Sequence, residues 1–357
     1  MASHRIERTA SPVKKKTDYP RELPMTRFVN HLLPTVFMGF VMTVAYLAGF
    51  HQPQPHHVPV GIVGQGPESA QVAEKLQGAF GDKADVRTYP TEGLAEAALK
   101  RAEVAGAFVP GGDEAKLMTA PAYSETLNNV VLRMFYPVAS KAHQPMTVQE
   151  VVPLDSHDAA GQNSFFFLVV LSVSGYALGI GMSVAGATYS YLKRASLILP
   201  AALFVVTVEF AFARWAMHMF EGHGWAVWSL AMGYFLIVLA VTVGLHPIVG
   251  RWSGFVYSAM FVGLNFTSSG GVFEPVLQPA FFGWLHQCWI GSGFVQSMRH
   301  ILYFPGLETG KGFGILTGWA VAAVLMLVIG GVWERANHLK YKVLTYEQAQ
   351  LEEDVVA

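Results

Sequence analysis

The chain of 357 residues carries 24 Lys and Arg against 25 Asp and Glu, a net charge of −1, and is 52% hydrophobic with only 14% charged. With a mean hydropathy of +0.35, this exceeds what one water-soluble core needs and describes a membrane protein. A single cysteine, Cys288, excludes an intramolecular disulfide and a thiolate metal cluster.

Residues 1–27 gather Arg5, Arg8, Lys14, Lys15, Lys16, Arg21 and Arg27 ahead of the first apolar run. Such an arm could bind nucleic acid or anionic lipid, but beside a membrane span it is expected to set topology and stay cytoplasmic, with membrane lipids and no nucleic acid as its surroundings. The run TVFMGFVMTVAYLAGF ends without a small-x-small cleavage site, so residues 28–50 read as a retained anchor. HQPQPHHVP then makes a stiff linker.

Residues 51–163 differ in character and are expected to fold outside the membrane. HVPVGIV is strand-like, ESAQVAEKLQGAF helical through Val72, Leu76 and Phe80, ADVRTYP extended, TEGLAEAALKRA helical and VAGAFVP a third strand. Such alternation predicts a small α/β layer. YSETLNNVVLRMFYPVASKA reads as a long helix returning toward the membrane. GQGP, lacking a third glycine at the required spacing, is a turn and a helix start rather than a phosphate loop.

A helix needs about 20 mostly apolar residues to cross a bilayer. Five further segments come close: 164–187, 196–219, 225–245, 253–268 and 313–333, which with 28–50 give six spans. Ser172, Ser174, Ser183, Gly175, Gly179, Gly181 and Gly186 in the second of them suit close helix packing or a pathway wall. Lys193 and Arg194, Arg251, and Arg335, Lys340 and Lys342 fall on one side, whereas the loop MHMFEGHGW has no Lys or Arg. Both termini are then cytoplasmic, in a plasma (inner) membrane, with 334–357 as a tail.

Glu209 lies near the middle of the third span, where a carboxylate must be protonated, paired or wet. Arg214, five residues on, is about 140° around the helix and does not share its face. Three roles stay open for Glu209: a polar contact to a neighbouring span, a place on a translocation path with Arg214, or a proton relay. His218, Glu221 and His223, and separately His51, His56 and His57, lack the one-face geometry of a helical metal pair and read as interfacial histidines. No metal, bound cofactor or catalytic set is expected. PGLETGKG around Lys311 departs from a nucleotide-binding loop in its glycine spacing and in Gly312.

Residues 268–305 are too long for a turn and too interrupted for a span, because Gly270, Gly271, Pro275 and Pro279 break helix in their first third. Irregular backbone at membrane depth persists only where protein or a watery cavity satisfies it. Two readings follow: an outer re-entrant pair of short helices, around PVLQPAFFGWLHQCW and FVQSMRHILYF, or an amphipathic helix lying on the membrane. Within 164–333, the re-entrant pair would cap a pathway from outside.

The stretch TSSGGVFEPVLQPAFFGWLHQCWIGSGFVQSMRHILYF, with the order basic arm, one span, large outer domain and five spans, resembles the membrane subunits of type-2 ABC exporters. It is most similar to their phage-infection-protein and nitrosoguanidine-resistance-like branch, although Glu274 stands beside the usual proline and QCWIGSGF replaces the more familiar Leu-Pro-Met-Thr-Tyr. The resemblance implies an outer gate at Ser268, Ser269, Gly270, Gly271, Glu274, Pro275, Pro279 and Arg299. It also implies pairing with a second permease copy and a separate cytoplasmic ATPase, met through YSYLKRAS with Lys193 and Arg194 as contacts. ATP would then act only through that subunit. The expected activity is outward movement of a lipid-like or hydrophobic substrate. The competing expectation is an envelope scaffold or receptor whose outer domain binds a partner protein.

Overall fold

The computed structural model describes residues 25–111, 114–305 and 310–356. The basic arm of residues 1–24, residues 306–309 of PGLETGKG and the side chains of Lys340 and Lys342 lie outside the described residues. The chain is mostly helical, with one small sheet. Four helical stretches are long and apolar enough to cross a membrane: Asn163–Ala185, Tyr191–Ala216, Gly224–Ser268 and Gly310–Asn337, with a shorter apolar stretch at Val36–Phe50.

Helix α1 (Met25–Phe50) leads through the linker into the α/β domain. There β1 (Val58–Val63), α2 (Pro67–Phe80), β2 (Ala84–Tyr89), α3 (Glu92–Lys100) and β3 (Gly106–Val109) follow the expected order. Strands β1, β2 and β3 are parallel, as crossover helices require. Two strands go beyond the sequence reading: β4 (Ala115–Thr119), antiparallel to β3, and β5 (Met146–Glu150), parallel to β4, giving the order β2-β1-β3-β4-β5. Helix α4 (Glu125–Lys141), capped by Ser124, therefore does not return toward the membrane but crosses the sheet and feeds its edge strand. Helices α2 and α4 cover one face through Leu76, Val131 and Phe135, and α3 covers the other through Ala95, Ala98 and Leu99.

Helix α5 (Asn163–Ala185) begins under a carboxylate cap: Asp158 Oδ1 accepts from the Gln162 and Asn163 N–H groups at 2.9 and 3.1 Å. A short elbow, α6 (Tyr191–Ser196), precedes α7 (Ile198–Ala211). The next 45 residues would form a rod of about 68 Å if straight, over twice a hydrocarbon core. Instead α8 (Gly224–Val249) ends at Gly250, in the left-handed region at φ 56°, and α9 (Ser253–Ser258), a π turn and α10 (Asn265–Ser268) run back. Tyr257 Oη donates to Thr242 O at 2.9 Å and Asn265 Nδ2 to Tyr234 Oη at 2.8 Å, links that only antiparallel legs can make.

Close helix approaches coincide with glycines. Gly175 and Gly179 of α5 face Val238 and Thr242 of α8, so these two serve packing, whereas Gly181 faces open space. Two short helices, α11 (Ala280–His286) and α12 (Ile290–Leu302), precede the long α13 (Gly310–Val356). Helix α12 runs antiparallel to α13, with Gly293 against Gly312 and Ile315, and Cys288 against Trp319. The two short helices are joined by a tight turn at Gln287 and Cys288 beside α13, and α12 is buried along most of its length.

Candidate functional site

SSGGVFEPVLQP is an interior segment. Ser268 and Ser269 are fully buried and hydrogen-bond back to Leu264 O and Phe266 O, closing α10. Gly270 takes φ 76°, and a Cβ there would meet the His286 ring at 2.8 Å, so the turn needs glycine for both conformation and space. Gly271 lies against the Phe165 ring. Beyond Pro275, Leu277 enters the α/β domain's core and Gln278 Nε2 donates to Gly49 O and Thr267 O, tying the ends of α1 and α10. Pro279, which is exposed, starts α11.

Glu274 and Arg299 meet here. They are 3% and 7% exposed, with Oε1 and Nη1 2.6 Å apart. Neither atom satisfies hydrogen-bond geometry, so the contact is one of charge; the separation is short enough that charge governs it. Arg299 Nη2 donates to Gly270 O at 2.8 Å, and the guanidinium lies 4.7 Å from the centre of the Tyr123 ring. The Glu274 charge, and after it burial, push the Tyr123 hydroxyl well above its ordinary range. Thus a phenol from the α/β domain completes an ion pair made between the segment before α11 and helix α12.

The same seam is sealed on both sides. Thr126 Oγ1 donates to Val272 O at 2.8 Å, and the His56 N–H to Val276 O at 2.8 Å. Leu277 belongs to the core on one face of the sheet and Phe304 to the core on the other. Neighbouring His286 is buried, with Nδ1 against Ser268 O at 2.9 Å and Nε2 against Gln296 Nε2 at 2.8 Å. Tyr123, Thr126, Gln278 and His286 were not singled out from sequence. Gln278 alone carried a signal, as a polar residue inside the broken motif.

The remaining expected residues lie elsewhere. Glu209 is half-buried on α7, facing Ser174 of α5, with Oε2 lacking a partner. Arg214 reaches away to Glu221 at 3.3 Å, so the two do not join. Lys193 is exposed over the Tyr189 ring at 4.1 Å. Arg194 is 5% exposed and paired with Glu334 of α13. A buried, paired guanidinium staples α6 to α13 and is not free to meet an ATPase as expected, whereas Lys193 is exposed. A further polar knot joins Ser172, Tyr234 and Asn265 in the centre of the bundle, at 2.7 to 3.2 Å.

A cavity of about 50 Å³ is lined by residues including Asp155, His157, Asp158, Glu221, His223 and Tyr303. Burial raises the Asp158 carboxyl and pushes Tyr303 up to about 12. Among the described residues no group of three or more His, Cys, Asp or Glu side chains is placed to hold a metal ion. No protein-family model, curated protein or solved structure matches the chain.

Proposed function

We propose that the chain is the membrane-embedded permease subunit of an ABC-type exporter, moving a lipid-like or hydrophobic substrate outward across the plasma (inner) membrane. Its six spans are α1, α5, α6 with α7, α8, α9 with α10, and α13, with both termini cytoplasmic. Lys193, Arg251 and Arg335 then share the inner side. The observation that carries the reading is the hairpin α11–α12, held between α10 and α13 and capped through Glu274, Arg299 and Tyr123. A membrane anchor has no need of a broken helix pair around a buried ion pair, whereas a closed outer gate does. Because Leu277 and Phe304 sit in the outer domain's two cores, domain and hairpin move together, and the domain is the gate's handle. ATP enters only through a separate subunit, met at Lys193.

Purification from native membranes, with co-purifying subunits identified by mass, tests this. A stoichiometric ATPase that is lost in Lys193→Glu is the expected result. Recovery without any ATPase sinks the export reading. A second reading, an envelope scaffold or receptor, is favoured by the same shared cores, since a domain fixed to its anchor also makes a platform for a partner. Recovery of an envelope protein in place of the ATPase would select it.

A further inference from the structure

A cavity of about 380 Å³ lies where the end of α1, the linker after it and the broken motif meet, within the range of small-molecule sites, about 300 to 1,000 Å³. Leu47 belongs to its apolar wall, and its polar groups are His51, Gln52, Gln54, His56 and Gln278. Gln278 is buried, and its Nε2 gives both hydrogens to Gly49 O and Thr267 O. Two carbonyls at that end fix the direction of the amide, so Oε1 is an acceptor, and it is buried without a partner among the described residues. A bare buried acceptor is costly, and native structures meet such groups with water, an ion or a ligand.

No lining residue is a Lys, Arg, Asp or Glu. Amides and neutral imidazoles each hold a donor and an acceptor, as a hydroxyl does, whereas a phosphate or ammonium drawn inside would lack a countercharge. The rim is pinned by its backbone, the Gln54 and His56 N–H groups donating to Leu277 O and Val276 O. Its side chains are exposed and bond to none of the described residues. From the cavity the apolar wall runs on along α1, where Leu47, Val44, Phe40 and Val36 are all exposed at helical spacing. Residues 36 to 47 rise about 16 Å, half of a hydrocarbon layer about 30 Å thick, which is the depth of one leaflet.

We propose that the cavity binds the uncharged, hydroxyl-bearing headgroup of a bilayer lipid, one hydroxyl donating to Gln278 Oε1 and the others meeting the Gln and His rim. The lipid's tail lies on the stripe from Leu47 to Val36. A protein helix laid on the stripe would cover it and leave the acceptor at its end bare, whereas a lipid brings a hydrogen-bonding head and an apolar tail in one molecule. The inference goes beyond the permease reading and takes from it only the topology that sets the end of α1 at the outer membrane surface.

The test uses the full chain in nanodiscs of phosphatidylcholine holding a minor share of monoglucosyl diacylglycerol, with retained lipid counted by native mass spectrometry. One glucolipid per chain is expected, enriched about tenfold over its share of the bilayer. Gln54→Leu with His56→Leu, which keeps the backbone bonds of the rim, should cut that retention about fivefold at an unchanged unfolding temperature. Gln278→Met, lacking the acceptor, should abolish it, and if that variant fails to fold the rim variant decides. Retention of phosphatidylcholine alone, of no lipid, or of glucolipid unaffected by the rim variant overturns the proposal. So does a preference for phosphatidic acid, which would mean that charge is read, and so does displacement of the lipid by free glucose, which would assign the cavity to a soluble sugar. None of these measurements involves an ATPase, so a chain recovered without one would refute export and leave the lipid site standing.

Discussion

Removing Glu274 alone is predicted to be among the most damaging single changes in the chain. With Glu274→Ala, Arg299 stays 7% exposed and keeps only the Gly270 carbonyl and the Tyr123 ring as partners. Breaking a buried ion pair on one side costs about 3 to 5 kcal/mol, because the surviving charge is left uncompensated, whereas replacing both partners by apolar residues of similar volume is close to neutral. Glu274→Ala should therefore lose about 3 to 5 kcal/mol, and Glu274→Leu with Arg299→Met should fall within about 1 kcal/mol of the parent. The coupling between the two sites is then at least about 2 kcal/mol, well outside the scatter of independent sites. Reversible unfolding in mixed micelles, followed by tryptophan emission, measures all the variants on one scale. A Glu274→Ala protein within about 1 kcal/mol of the parent would refute the reasoning, as would a double variant no better than the worse single one. If the pair also gates transport, the double variant should regain stability without regaining export.

Three further outcomes are expected. Gly330→Ala, whose new Cβ would strike the Gly244 carbonyl, should cost about 1 to 3 kcal/mol by forcing α8 from α13. Gly314→Ala, with nothing within 4 Å, should be neutral or stabilise by up to about 1 kcal/mol, and the same unfolding series tells them apart. Arg194→Ala should destabilise by about 2 to 4 kcal/mol, discounted because Glu334 is 21% exposed, while Lys193→Ala stays within about 0.5 kcal/mol. In the outer domain, the hydrogen bond and charge of Asp85 raise the pKa of His57. A raised pKa means the charged imidazole favours the fold. That contribution is fully present below the ordinary value and lost as pH rises through the folded one. NMR titration of the intact protein should show the His57 midpoint falling toward the ordinary imidazole range in Asp85→Asn.

Elements announced by periodicity within a few residues were legible; contacts between distant parts of the chain were not. The order strand, helix, strand, helix, strand from Val58 to Val109 shows in the alternation of Val, Ile and Ala with polar residues, and so do the apolar helices. Strand β5 escaped because MTVQE is nearly all exposed and has no buried face to alternate against, which made α4 look like a return to the membrane. The broken motif marked Glu274 and Arg299 as unusual, but nothing in the composition says that an arginine 25 residues on will neutralise the glutamate, or that Tyr123 will cover both. Arg194 shows the converse. Its sequence neighbours suggest a basic surface loop, and its burial comes from Glu334, 140 residues away.

The shared cores also set an order of assembly. Residues 58 to 150 leave the ribosome early, yet the two faces of their sheet are completed by Leu277 and Phe304, supplied only when the last third of the chain has been made and inserted. Contacts of such long sequence separation form late, so the young outer domain must wait with apolar patches open, the condition in which chains aggregate and chaperones are engaged. Its completed fold is then a signal that the hairpin has docked, and a chain truncated before Leu277 would carry an outer domain that never closes.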